Sequence, residues 1–225
     1  MSSARDDILG RIREALRSPA EKPHLSTGRE STNLVKGRAW LPEAGDTASD
    51  RLKLLGENLT KLKAQLICVP DMANAARELA DLSTQKGWKR LGYHGHPDTR
   101  VMVAGLPCET WSVDDGFDKQ RLESCDAGLT TCEAIVAQTG SILVSSATNG
   151  GRALSILPHV HVVVARADQL VGDLADAFAL VRSRHGDSMP SMLSFITGPS
   201  RTGDIERILV LGAHGPKELV LILVG

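Results

Sequence analysis

The sequence predicts an α/β fold in which a mostly parallel sheet is flanked by helices. Apolar segments of strand length alternate with amphipathic segments of helical length, which is the pattern of such a sheet. Residues A, V, I, L, M, F, W, Y and C make up 42% of the chain but aromatics only 3%, so the core must be aliphatic. Residues 160–165 are mostly β-branched, as in strands buried on both faces.

The first part of the chain predicts a helix and a connector. Ile8, Leu9 and Ile12 share one helical face, and Pro19 ends that helix. Residues 18–46 are rich in proline and glycine and predict an extended linker. We therefore divide the chain into residues 1–48, a helix and linker, and residues 49–225, an α/β domain.

The domain is predicted to begin with a helix, because leucines at 52, 55, 59 and 62 recur at three- and four-residue steps. The short apolar run at 65–69 predicts a strand that ends before Pro70. The next segment, to about residue 86, predicts a second helix. Further strands are predicted at 101–104, 110–113 and 135–137.

The second half has a stronger pattern. A strand is predicted at 141–145, and one or two helical turns at 151–157 before Pro158. The buried strand at 160–165 precedes a helix that Asp168 caps and that extends to about residue 185. The last strands are predicted at 195–197 and 219–224.

Composition argues against several classes of protein. The formal net charge is −1 and no basic stripe is present, so nucleic-acid binding is not predicted. No apolar run approaches the ~20 residues of a membrane span, and the N-terminus has no signal-peptide pattern. The four cysteines lack C-x-x-C spacing, so we expect no cofactor bound by this chain. A cytoplasmic location is expected.

A polar turn after the 195–197 strand is the strongest candidate ligand site. Its members are Gly198, Ser200, Arg201, Thr202 and Asp204. Glycines expose backbone N–H groups, hydroxyls donate hydrogen bonds, and arginine binds carboxylate or phosphate through two N–H groups. The spacing has a P-loop outline, but Asp-Ile replaces the required Lys-Ser or Lys-Thr, so nucleotide hydrolysis is not predicted. The alternative is a plain helix cap at Asp204.

Two further segments are candidates for the same ligand. Thr139, Gly140 and Ser141 lie between two apolar runs, where glycine and hydroxyls permit close approach; the alternative is a β-bulge. Gly151 and Arg152 open a short predicted helix, whose N-terminus attracts anions; the alternative is a surface arginine.

Glu133 and His214 are the candidates for proton transfer, and His214 is also a candidate for binding the anion. Glu133 lies just upstream of the 139–141 turn, and His214 lies in a glycine turn before the last strand. An exposed carboxylate and a hydrogen-bonding histidine are the alternatives. His94-x-His96 and His159-x-His161 are interpreted as structural histidines. In open α/β sheets ligands bind beyond the carboxyl ends of strands, so these turns are expected to share one hollow that binds a small carboxylate or phosphate.

Several ordered motifs resemble the LUD-domain family of lactate-utilisation proteins. They are Ala-Gln-Thr-Gly-Ser at 137–141, Gly-Arg-Ala-Leu-Ser-Ile-Leu-Pro at 151–158, His161, Ala-Arg-Ala-Asp-Gln at 165–169, Thr-Gly-Pro-Ser-Arg-Thr-Gly-Asp-Ile-Glu at 197–206 and Gly-Ala-His-Gly-Pro at 212–216. The resemblance spans residues 49–225. Gln138 departs from the family pattern, which often has an acidic residue before Thr-Gly. The resemblance implies a fold related to ribose-5-phosphate isomerase, glucosamine-phosphate deaminase and CoA transferases.

The same resemblance implies a function. It suggests a subunit of a cytosolic system that oxidises L-lactate to pyruvate, with two iron–sulfur partner proteins that hold the clusters. A stand-alone enzyme for a phosphorylated or CoA-like substrate and a small-ligand sensor are the alternatives. The sequence leaves open whether the chain is itself catalytic.

Overall fold

The computed structural model describes residues 4–15, 17, 42–202, 210–211 and 215–225. The chain divides into two units, residues 1–41 and 42–225. In the first unit, helix α1 (Ala4–Ala15) agrees with the helix predicted there. Its first turn carries Asp6 and Asp7 and its last turn Arg13, which complement the helix dipole. Most of the predicted linker lies outside the described residues.

The described part of the second unit contains helices that begin at ordinary capping residues. They are α2 (Ala48–Leu62), α3 (Met72–Lys86), α4 (Pro97–Val103), α5 (Lys119–Glu123) and α6 (Leu174–His185). Thr47 and Asp50 form a capping box at the start of α2. Asp71 and Asp173 cap α3 and α6, each by accepting a backbone N–H three residues later.

Six parallel strands form the main sheet. In spatial order they are β1 (Gln65–Val69), β12 (Glu218–Val224), β7 (Val160–Arg166), β4 (Ala127–Thr130), β2 (Arg90–Tyr93) and β3 (Glu109–Ser112). Every pairing in this sheet is parallel. The prediction of a mostly parallel sheet flanked by helices is confirmed.

A second sheet has four strands. Their order is β8 (Leu170–Val171), β5 (Ala134–Val136), β6 (Ser141–Ser145) and β9 (Leu193–Ile196). Strands β5, β6 and β9 are antiparallel neighbours, whereas β8 runs parallel to β5. The short strands β10 (Arg201–Thr202) and β11 (Val210–Leu211) pair separately as an antiparallel ribbon.

Side-chain alternation along β7 divides the core between the two faces of the main sheet. Val160, Val162 and Val164 face a cluster that includes the apolar sides of α3 and α4. Val163 and Ala165 face the opposite cluster, which contains residues of α2, β5 and β6. Helix α6 covers the other face of the second sheet through Ala177 and Val181. Both faces of β7 are therefore buried, as its composition predicted.

Some elements differ from the sequence predictions. The strand predicted at 101–104 is wrong, because His96 caps and Pro97 opens helix α4 there. Helix α6 begins at 174 rather than 168, since Leu170 and Val171 pair with β5. Residues 151–157 form turns instead of a helix. No helix in the described part of the chain combines the length and apolarity needed to cross a membrane.

Gly128 allows the 146–158 segment to lie against β4. A Cβ at this position would lie 2.5 Å from the Leu154 carbonyl oxygen and 3.0 Å from Pro158 Cγ. At Gly56, within α2, a Cβ would meet only Leu66 Cδ2, at an ordinary 3.8 Å.

We expect Gly128→Ala to lower the free energy of unfolding by about 1–3 kcal/mol, because the added methyl overpacks a closed contact. The matched control, Gly56→Ala, should raise it by about 0.5–1 kcal/mol through better helix propensity. Urea unfolding followed by circular dichroism measures both. Equal stability of the two variants would contradict this packing.

Candidate functional site

A polar cavity of about 290 Å³ lies at the carboxyl edge of the main sheet. Strands β2, β4 and β7 are neighbours and parallel, so the residues that follow them meet at this edge. The polar side chains that line the cavity include His96, Asp98, Thr131, Arg166, Asp168 and Arg184. This is the position at which open α/β sheets bind ligands.

Two broader depressions follow the outer side of α2, with volumes of about 780 and 620 Å³. They are lined by helix-surface residues such as Lys53 and Glu57. Neither lies at the end of a parallel strand. The carboxyl-edge cavity is therefore the better candidate for a ligand site.

Arg166, the last residue of β7, is held by Asp98 of α4. Its Nη2 and Nε atoms donate to the two carboxylate oxygens at 2.6 and 3.1 Å. These hydrogen bonds and the charge of Asp98 raise the pKa of the Arg166 guanidinium. The paired N–H groups of this arginine are thus already occupied by a carboxylate of the chain.

The imidazole of His96 lines the cavity, and one of its two nitrogens has a defined partner. Its Nδ1 accepts the backbone N–H of Asp98 at 3.2 Å and so caps α4. Nδ1 also lies 3.9 Å from Asp98 Oδ2, but an atom that accepts this N–H has no proton to donate to the carboxylate. The ring proton is therefore assigned to Nε2, which makes that atom a donor.

His94 contacts Thr131, one of the residues that line the cavity. Its Nε2 is 3.2 Å from Thr131 Oγ1, and burial lowers the pKa of the imidazole to about 4. Gly150 closes over His94, since a Cβ on this glycine would lie 2.8 Å from His94 Cβ. His94 is thus a neutral structural histidine, as interpreted from the sequence, whereas His96 lines the cavity.

Glu133 is buried directly behind the cavity. Ser145 Oγ donates to its Oε1 at 2.7 Å, and His185 Nε2 lies 3.0 Å from the same oxygen. Arg184 Nη1 donates to the Glu133 carbonyl oxygen at 2.7 Å and lies 3.2 Å from Oε2. The side chain of Glu133 is only 3% exposed, so these partners compensate a buried charge.

The neighbouring thiol is not a nucleophile. Cys132 is buried beside Glu133, and burial raises the pKa of its thiol to about 12. The thiolate required for attack is therefore absent near neutral pH. In the described part of the chain, no three His, Cys, Asp or Glu side chains are grouped to hold a metal ion.

A second polar group forms at the amino edge of the main sheet. Thr139 Oγ1 donates to Ser141 Oγ, which lies 2.7 Å from Thr197 Oγ1. Gly140 and Gly198, both with positive φ, approach Leu62 at the end of α2.

The guanidinium of Arg201 belongs to this second group. Its Nη2 donates to the carbonyl oxygen of Leu62, close to the end of α2. A cation at that position satisfies a terminal helix carbonyl and complements the helix dipole. The Ser200 N–H donates to the Pro216 carbonyl oxygen at 2.9 Å.

The structure separates the residues that the sequence was expected to bring together. Glu133 and Ser145 lie at one end of the antiparallel β5–β6 pair, and residues 139–141 at the other. The ends of β6 are roughly 13 Å apart, at about 3.3 Å a residue. Among the described residues, Glu133 and the 139–141 turn therefore lie at different edges, and ligand binding by the predicted turns stays a prediction.

The remaining candidates lie as follows. Arg152 Nη2 donates to the Ser191 carbonyl oxygen at 3.0 Å, and Gly151 N–H donates to the Ser146 carbonyl oxygen, so both lie at the Ser145 end of β6. Asp204 and His214 lie outside the described residues, as does the side chain of Thr202. Ligand binding by the amino-edge group, which includes Arg201, stays a prediction.

Sequence reasoning missed most of the cavity. Asp98 and Thr131 were not singled out because strands β2 and β4 were not recognised, and Arg166 and Arg184 were not singled out although the strand and helix that carry them were predicted. A signal was present: the rule that ligands bind after parallel strands would have selected residues 94–98 and 131–133.

Buried histidines should make stability depend on pH. Burial lowers the pKa of His94 to about 4 and of His161 to about 3, against 6.5 ordinarily. The unfolded chain therefore binds more protons below pH 6.5, and stability is lost as pH falls. We expect the free energy of unfolding to drop between about pH 6.5 and 4.5 by up to ~1.4 kcal/mol per pH unit for each histidine.

Urea unfolding of His94→Gln across this pH range should show a shallower slope than the parent. His159→Gln, at an exposed position, is the matched control. A slope reduced as much in the control as in His94→Gln would contradict the assignment.

Comparisons with known proteins agree with this architecture. A lactate utilization protein C of Bacillus licheniformis is 34% identical over 140 residues, 61% of this chain and 58% of the relative. Another, of Deinococcus radiodurans, is 36% identical over 137 residues, 56% of this chain and 63% of the relative. The chain thus spans a little over half the length of these relatives.

A crystal structure of a DUF162 family protein from Deinococcus radiodurans has the same fold, with a TM-score of 0.62. The match covers 80% of this chain and 99% of that one at 22% identity. The family model of the LUD domain matches residues 52–224. That match includes both sheets and all the residues that line the cavity, which run from His96 to Arg184. The chain therefore belongs to the LUD domain family.

Proposed function

We propose that this chain functions in lactate utilisation, as a subunit of a cytoplasmic system that oxidises L-lactate to pyruvate. The observation that carries the proposal is the match of the LUD domain model to residues 52–224, together with relatives named lactate utilization protein C. The domain fold and the relatives' names support the pathway, and the remaining detail is proposed here.

Two iron–sulfur proteins are proposed as partners. Oxidation of L-lactate to pyruvate releases two electrons and two protons, so an electron acceptor must take part. We propose that these partner proteins hold the clusters, as the resemblance to the LUD-domain family implies. This chain would then contribute ligand binding rather than electron storage.

The ligand is proposed to occupy the carboxyl-edge cavity. A volume of about 290 Å³ is at the small end of ligand sites and suits a molecule of lactate size better than a CoA ester. Two arginines and one histidine line a space that also contains acidic groups. A small carboxylate matches this arrangement, which makes a stand-alone enzyme for CoA-like substrates the weaker alternative.

Deletion of the gene from its host tests the pathway. The deletion strain should lose growth on L-lactate as the sole carbon source and retain growth on pyruvate, and the parent gene should restore growth. Pyruvate is the control because it enters metabolism after the proposed step. Undiminished growth of the deletion strain on L-lactate would refute the proposal.

A purification experiment tests the partner claim separately. The tagged full-length chain, isolated from lactate-grown cells, should carry two further proteins together with iron and acid-labile sulfide. Lactate turnover by the isolated chain would favour the alternative of a stand-alone enzyme. Recovery of the chain free of iron and of other proteins would contradict the proposed assembly.

A further inference from the structure

Arg184 differs from Arg166 in which donors are used, because the Nε and Nη2 edge of Arg166 already binds Asp98. Only its Nη1 contacts acceptors, both of them on Glu133. No acceptor in the described part of the chain lies within hydrogen-bond distance of its Nε or Nη2 atoms. Its side chain is 37% exposed and lines the cavity. It can therefore form a two-point contact with an incoming carboxylate without losing its present partner.

Glu133 fixes the position of this guanidinium. Its carboxylate is itself held by Ser145 and His185, at 2.7 and 3.0 Å, so it cannot swing into the cavity without leaving both. Arg184 also binds the backbone carbonyl of the same residue. A receptor that is held in place before the ligand arrives loses less conformational entropy on binding.

The charges around the cavity favour a singly charged ligand. Arg166 is neutralised by Asp98, and Arg184 is balanced by Glu133. Asp168 also lines the cavity and adds a negative charge. A phosphate dianion would meet this charge with no spare cation to offset it, whereas a monocarboxylate adds only one charge.

The donors beside Arg184 indicate what the carboxylate should carry. His96 offers Nε2–H as a donor, and Asp168 offers carboxylate oxygens as acceptors. An oxygen atom on the carbon next to the ligand carboxylate can accept from His96, and a hydroxyl there can also donate to Asp168. These donors and acceptors match 2-oxo and 2-hydroxy acids better than a plain fatty acid.

We propose that Arg184, positioned by Glu133, binds the carboxylate of a small 2-hydroxy or 2-oxo monocarboxylate in this cavity. The proposal rests on the function proposed above, because it gives that site its receptor and its ligand class.

Calorimetric titration of the full chain with L-lactate, pyruvate, propionate and inorganic phosphate tests this assignment. The parent should bind L-lactate and pyruvate more tightly than propionate or phosphate. Arg184→Met should weaken L-lactate and pyruvate binding about 10- to 100-fold, since a charge-assisted two-point contact is lost. Arg182→Met, an exposed arginine of the same helix turn, is the matched control and should bind as the parent does.

Glu133→Gln distinguishes a positioning role from a merely structural one. The amide can still bond with Ser145, but the cavity gains one unit of positive charge. We therefore expect the ratio of L-lactate to phosphate affinity to fall about 10-fold, a change of selectivity that partial unfolding would not produce. Thermal unfolding by circular dichroism shows whether each variant is folded, and Arg184→Lys provides a charge-retaining variant should Arg184→Met fail to fold.

Three results would overturn the proposal: no binding of L-lactate or pyruvate by the parent, equal affinities in Arg184→Met and Arg182→Met, or loss of binding in Arg201→Ala with Arg184→Met unaffected. The last of these results would indicate that the ligand binds at the amino edge, near Arg201. The gene deletion reports on the pathway separately. A deletion strain that cannot use L-lactate, combined with parental binding by Arg184→Met, would remove only this inference.

Discussion

The parallel pairing of β7 with its neighbours is the constraint on which the site depends. β7 pairs with β12 over seven residue pairs and with β4 over four, all in one direction. Both its faces are buried by aliphatic side chains, so a one-residue change of register would exchange the two packed sets and move the polar end away from the carboxyl edge of β4. Because the direction is shared, Arg166 and Thr131 end at the same edge, beside the start of α4.

The second sheet places the buried carboxylate of Glu133 at that edge. The antiparallel pairing of β5 with β6 brings Glu133 within hydrogen-bond distance of Ser145, at the end of the pair that faces the carboxyl edge of the main sheet. Helix α6 covers this sheet and ends with Arg184 and His185 beside the same carboxylate. A buried carboxylate is costly unless several donors satisfy it. The two sheets and α6 therefore meet at one set of polar contacts.

The sequence predicted strongly patterned elements well, because their signals are local. β6 was predicted with its observed bounds, 141–145, and α3 follows the predicted helix to Lys86. β2 was missed because Arg90 and Gly92 break the apolar pattern, and the burial of Leu91 and Gly92 is a tertiary effect. The same loss hid the carboxyl edge, although Glu133, which lies behind the cavity there, was among the predicted candidates.

Arg201 shows why residue type alone could not locate the site. Its glycine-rich turn has the composition of an anion site, but the turn follows β9, which is antiparallel to β6 and directs it to the amino edge. There its guanidinium meets the end of α2 at Leu62. The direction of a strand in its sheet decides which edge a turn reaches, and this direction depends on pairing between residues distant in sequence.

The two arginines of the cavity illustrate how charges in a ligand site can be stabilised by partners within the chain itself. Arg166 and Asp98 satisfy each other through two hydrogen bonds, so this pair lines the cavity without adding net charge. Arg184 is satisfied at one nitrogen only, which compensates Glu133 and leaves donors for a ligand. A two-point contact through Nε and Nη2 of Arg166 would have to displace an internal carboxylate, whereas the same contact at Arg184 displaces none. This difference favours Arg184, rather than the more exposed Arg166, as the proposed carboxylate receptor.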